Sequence, residues 1–100
     1  MNLGRAISLC RAQRRFSQLE LATRAKISVS YLSLLERNER KDPALSTIQG
    51  LADALQVPSG ILFFLAADDS ELSGLTSELK EKLSHAALAM LNEPIEASLL

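Results

Sequence analysis

The chain has 100 residues, enough for one domain, and its 47% hydrophobic and 23% charged content is that of an ordinary globular protein. Aromatic residues make up only 4%, with four glycines, three prolines and no tryptophan, which argues against a β-sandwich or barrel built from strand formers and frequent turns. The net charge of −1 conceals an asymmetry: residues 1–41 carry +6 and residues 42–100 carry −7, so one half is suited to face a polyanion.

The single cysteine, Cys10, excludes an intrachain disulfide framework and a cysteine-rich zinc site, and fits a reducing, cytoplasmic setting. No basic–apolar leader opens the sequence, so no secretory signal is expected. The longest apolar run, Ile61 to Ala67, is too short to span a bilayer, and no membrane partner is expected.

Leu3, Ile7 and Cys10 recur at helical spacing and predict a first helix over 2–14, with Cys10 on its core face. Ser17 followed by Glu20 is a capping box, flanked by the staple pair Phe16 and Leu21, so a second helix starts at Ser17 and runs to about Arg24. Ile27, Ser28 and Leu32 repeat the staple-and-cap pattern and predict a third helix over about Val29 to Arg37. Asn38 suits a left-handed helix end, and residues 39–43 form a polar loop.

Leu45, Ile48, Leu51, Ala52 and Leu55 define a fourth helix with Ser46 as its cap. Pro58 suits the first turn of a fifth, from Ser59 to about Ala67. After the polar break at Asp68, Asp69 and Ser70, the residues Leu72, Leu75, Leu79, Leu83, Ala86 and Met90 mark one face of a long amphipathic helix over 70–92. Asp68, Asp69 and Glu71 are expected to cap it, since anions favour a helix N-terminus. Pro94 breaks the pattern, leaving 93–100 as a flexible tail. The expected fold is all-α: five helices over 1–67 and an additional C-terminal amphipathic helix.

Two short helices joined by a three- to four-residue turn between Arg24 and Ser28 make a helix-turn-helix pattern. An α-helix fits the DNA major groove and its N-terminal residues reach base edges, while a preceding helix lays its N-terminus on phosphate.

The chain resembles the phage repressor and Cro-like (XRE-type) helix-turn-helix regulators over about Leu3 to Leu65. The carriers are Ile7-x-x-Cys10-Arg11, Ser17-Gln18-x-Glu20-Leu21-Ala22, Ile27-Ser28-x-Ser30-Tyr31-Leu32-Ser33-x-Leu35-Glu36-Arg37 and Leu51-Ala52-x-Ala54-Leu55-x-Val57. The resemblance implies a transcriptional regulator, expected to be a dimeric repressor of an inverted-repeat operator in double-stranded DNA. It places Ser28, Val29, Ser30, Ser33 and Leu34 where related proteins read bases. It assigns Gln18, Tyr31, Arg37, Arg40 and Lys41 to phosphate, and Arg11 with Glu36 to an internal ion pair.

This sequence departs from the family at two points. Arg15, Lys26, Asn38 and Gln56 stand where glycine is frequent at helix ends, so the turns are expected to differ in detail. The base-reading set also lacks Arg, Gln and Asn for bidentate contacts, which leaves thymine methyl packing, serine hydroxyls and DNA shape to carry specificity. The rival reading of Val29 and Leu34 is a small apolar patch for a protein partner.

Cys10 reads as a structural thiol and His85 as a surface histidine without a second ligand nearby. The leucine face of the last helix, with Phe64, must be buried, either against its own domain or in a homodimer; the dimer is favoured, with Phe64, Leu72, Leu75, Leu79, Leu83 and Met90 at its interface. The alternative function is a protein-interaction or antitoxin-type module using the same fold. An enzyme is the weakest reading: the sequence holds no paired acid and base, phosphate-cradling loop or metal cluster, and no cofactor is expected.

Overall fold

The computed structural model describes residues 1–40 and 42–94. These form six helices, α1 (Leu3–Arg14), α2 (Gln18–Ala25), α3 (Val29–Glu36), α4 (Leu45–Leu55), α5 (Ser59–Ala66) and α6 (Ser77–Asn92), and the fold is all-α.

Local chemistry sets the helix starts. The Asn2 side chain accepts from the Arg5 N–H at 3.0 Å and caps α1. Ser17 and Glu20 close the reciprocal capping box of α2, each accepting from the other's backbone N–H at 3.0 Å. Ser28 caps α3 by accepting from the Tyr31 N–H at 3.0 Å. The helix ends keep a left-handed residue even without glycine: φ is 59° at Arg15, Lys26 and Asn38 and 54° at Gln56. The cap N–H groups bond back to the helix, as in Lys26 to Thr23 (3.2 Å) and Gln56 to Asp53 (3.0 Å).

The first helix is the hub, packing against α3, α4, α5 and α6, while α2 lies on α3 and α4. Ile7, Leu21, Leu32, Leu35, Leu51, Leu55, Leu62 and Cys10 are the largest fully buried side chains, and each buried aliphatic contributes ~1.5–3 kcal/mol by leaving water. Gly4 lets α1 meet the end of α3: a Cβ there would lie 2.4 Å from the Leu35 carbonyl oxygen and 2.8 Å from that of Glu36. Asn38 spans the same junction, its Oδ1 accepting from the Gly4 N–H at 3.3 Å and its Nδ2 donating to Asn2 Oδ1 at 2.7 Å.

Arg14 ties α6 to this core. Its guanidinium donates to the carbonyls of Leu55 (2.8 Å) and Gln56 (3.2 Å) at the end of α4. It also donates to those of Met90 and Leu91 (both 3.1 Å) and of Glu93 at the end of α6. One cation thus satisfies orphan carbonyls of two helix C-termini, where the helix dipole favours it.

Four expectations are corrected. The last helix begins at Ser77, not 70: Gly74 weakens a helix there, and Thr76 offers the start by accepting from the Leu79 N–H at 3.1 Å. Leu72 and Leu75 consequently lie in the preceding turns. Asp68 and Glu71 do not cap α6 but close their own turn, Asp68 Oδ1 accepting from the Glu71 N–H (2.8 Å) and Glu71 Oε1 from the Asp68 N–H (3.0 Å); Asp69 is exposed in it. Ser46 is not the cap of α4, because the extended Ala44 after Pro43 already starts it, its carbonyl accepting from Thr47 and Ile48. Met90 packs against the chain's own core beside the buried Ala87 and Leu91, so the predicted leucine face divides, and Leu79 is left 42% exposed. The fifth helix runs from Ser59 to Ala66, with Pro58 at its cap position. Residues 95–100 of the expected tail lie outside the described residues.

Candidate nucleic-acid interface

The turn between α2 and α3 is built by Lys26, whose left-handed backbone reverses the chain, and by Ile27, whose N–H bonds the Ala22 carbonyl at 3.0 Å. Leu21 and Ala22 of α2 and Leu32 and Leu35 of α3 face the core, which turns the other side of α3 outward. On that side Val29 (38% exposed), Ser30, Ser33 and Leu34 line a shallow concavity together with Gln18 and Arg37. Ser28 is exposed and serves as the α3 cap. Tyr31 is half-buried against the core. Arg40 is exposed beyond α3, with its N–H on the Leu34 carbonyl at 3.3 Å, and Lys41 lies outside the described residues.

Beneath the rim, Glu36 organises the charges. Its carboxylate is 6% exposed and accepts from Arg11 Nε (2.8 Å), Arg11 Nη2 (2.9 Å), Ser8 Oγ (3.0 Å) and Gln18 Nε2 (3.3 Å). Arg11 also donates Nη1 to the Phe16 carbonyl at 3.0 Å, so this fork–fork pair joins α1, the α1–α2 turn and α3. Burial alone would push the Glu36 carboxyl up, but the hydrogen bonds from Arg11, Gln18 and Ser8 outweigh it and hold the pKa below its ordinary value. At the rim, Arg37 donates Nε to the Ser33 carbonyl (3.3 Å) and sits 3.1 Å from the Glu39 carboxylate.

The remaining singled-out residues lie apart from this surface. Cys10 is fully buried in the core, and desolvation pushes its thiol up to about 11 against the lowering effect of Arg14. His85 is exposed on α6, 3.8 Å from Glu81. Among the described residues no group of three His, Cys, Asp or Glu side chains could hold a metal ion, and no single helix is long and apolar enough to cross a membrane.

Two residues of structural weight, Gly4 and Arg14, were not anticipated. Arg14 carried a signal in hindsight: it stands four positions after Cys10 on the same helix face, which made an arginine the next core-facing residue. The Gly4 contact is nonlocal and leaves no pattern near it.

A bihelical unit with an outward second helix, tight turn and internal Arg–Glu brace defines a helix-turn-helix protein. Residues 7–62 match the helix-turn-helix family, and the chain belongs to that family, in its phage repressor-like form. It is similar to an immunity repressor protein of Bacillus phage phi105, 40% identical over 57 residues that cover 57% of this chain and 39% of that protein. It is also similar to the HTH-type transcriptional regulator SinR of Bacillus licheniformis, 30% identical over 87 residues that cover 87% of this chain and 78% of the relative. The chain therefore spans well under half the length of the phage relative and most of the second. No solved structure matches the chain significantly.

Proposed function

We propose that this chain is a DNA-binding regulator of transcription, a repressor that docks α3 in the major groove of a duplex operator. The observation that carries this is the concavity at the outward face of α3, which joins Val29, Ser30, Ser33 and Leu34 to Gln18 and Arg37. It lies within the segment 1–41, whose net charge is +6, so the outward α3 face that would meet a groove belongs to the half that attracts phosphate. In this reading Gln18, at the first position of α2, meets one phosphate beside free backbone N–H groups, and Arg37, Arg40 and Lys41 meet others beyond α3; Tyr31 adds its hydroxyl.

The same proposal includes a two-fold homodimer, which would place two recognition helices roughly 34 Å apart on an inverted repeat. Support comes from apolar surface left uncovered near the C-terminal half. Leu79 and Leu88 are 42% and 47% exposed, and Phe64, Leu72, Leu75 and Leu83 are half-buried. Met90 belongs to the chain's own packing and is left out of the interface. The similarity to two Bacillus-associated repressor and regulator proteins supports the regulatory assignment.

Salt titration of binding to a mixed-sequence duplex tests the reading. The logarithm of affinity should fall linearly with the logarithm of salt, with a slope near −0.9 for each phosphate contacted. Arg37→Ala and Gln18→Ala should weaken every duplex alike, Arg37→Ala reducing the slope by about one. Affinity for DNA that is absent at low salt, or insensitive to salt, would refute the proposal and direct attention to a protein partner.

A further inference from the structure

The outward face of α3 is unusual in what it withholds. Guanine is ordinarily read by a free Arg or Lys on its N7 and O6, and adenine by a free Asn or Gln on N6 and N7. Both such groups at this surface are already partly engaged within the chain. The Gln18 amide, at the lip of the concavity, already donates Nε2 to Glu36 at 3.3 Å. The Arg37 guanidinium donates to the Ser33 carbonyl at 3.3 Å and pairs with Glu39 at 3.1 Å. What remains is an aliphatic floor from Val29 and Leu34, with the hydroxyls of Ser30 and Ser33 beside it.

We propose that this surface reads thymine by its C5-methyl group, with Val29 and Leu34 forming the methyl-sized contact and a serine hydroxyl donating to the adjacent O4. Thymine is the base whose major-groove edge sets a methyl group next to an acceptor, and the concavity offers the complementary apolar wall next to a donor. A protein partner would also fit an aliphatic patch. The +6 charge of residues 1–41 and the Arg37 rim favour a polyanionic ligand instead. This inference rests on the DNA-binding reading above and adds what that reading leaves open, the chemistry of sequence choice.

The test uses the duplex that the full chain enriches from a random pool. Each thymidine is replaced in turn by deoxyuridine, which keeps pairing and O4 and removes only the methyl. At contacted positions affinity should fall about fourfold per methyl lost, the worth of one buried methylene-sized group. Elsewhere it should not change. In Val29→Ala, an exposed position whose truncation leaves the core intact, the sensitivity to deoxyuridine should disappear at the position Val29 touches and persist at the one Leu34 touches. If deoxyuridine binds as tightly as thymidine at every position, or the enriched half-site contains no thymine, methyl reading is overturned while DNA binding stands. If no duplex is enriched, the DNA-binding reading falls and takes this inference with it.

Discussion

Replacing Arg14 with alanine should loosen α6 from the rest of the chain. The side chain donates to Leu55 and Gln56 at the end of α4, and to Met90, Leu91 and Glu93 at the end of α6. A hydrogen bond involving a charged group contributes ~1.5–3 kcal/mol, and a cation at a helix C-terminus ~0.3–1 kcal/mol more. The five bonds share one group, and water replaces part of what is lost at the exposed Glu93, so they do not add. Two bonds' worth, one for each helix end, gives a loss of ~3 kcal/mol. In a domain of this size that lowers Tm by ~12–24 °C. Circular dichroism melting reads the shift, and amide exchange over α6 reads the local loosening. Arg14→Lys keeps the charge but not the planar fork that reaches both helix ends, and should recover less than half of the loss. A Tm within ~3 °C of the parent, with unchanged exchange in α6, would refute the clasp.

Three further expectations follow from the same geometry. Gly4→Ala should destabilise by ~2–3 kcal/mol, since its Cβ would meet backbone oxygen at 2.4 Å, and urea unfolding should show the lower midpoint at unchanged slope; parent-like stability would contradict the packing. Glu36→Gln should cost ~2–3 kcal/mol near neutral pH by leaving Arg11 half-buried without its counter-charge. The Glu36 pKa is lowered by folding, so the parent's advantage over this variant is present above the ordinary carboxylate pKa of ~4.3 and is lost as pH falls through the lower folded value; an advantage that does not change between pH 7 and pH 2 would contradict the pair. Gln56→Gly should stabilise by ~0.5–1 kcal/mol, because relief of a left-handed φ of 54° exceeds glycine's added freedom in the unfolded chain; a lower Tm would contradict this.

Much of the fold was legible because its signals are local. Ser17 with Glu20, and Ser28 before Val29, announce helix starts within four residues, and the structure builds those caps. The periodicity of Leu3, Ile7 and Cys10 locates the core face of α1 for the same reason. The misplacements are of two kinds. Ser46 and the Asp68–Glu71 group were competent caps that lost to a neighbour, Ala44 after Pro43 and Thr76 after Gly74, and composition does not rank such rivals. The leucines from 72 to 83 share a helical spacing whose continuity Gly74 breaks, so the spacing overstated one helix and one face. Gly4 and the five carbonyls of Arg14 join residues far apart in sequence, and only the assembled fold brings them together. Within the candidate interface, the residues of the α3 face were legible through their family spacing, whereas the engagement of Gln18 and Arg37 with Glu36 and Glu39 was not.

The central claim, that the α3 face docks sequence-specifically in DNA, is tested most directly by selecting duplexes from a random pool with the purified chain and sequencing the bound fraction. The expected result is an enriched inverted repeat with half-sites about one helical turn apart. A bound fraction no different from the starting pool, even at low salt, would contradict it.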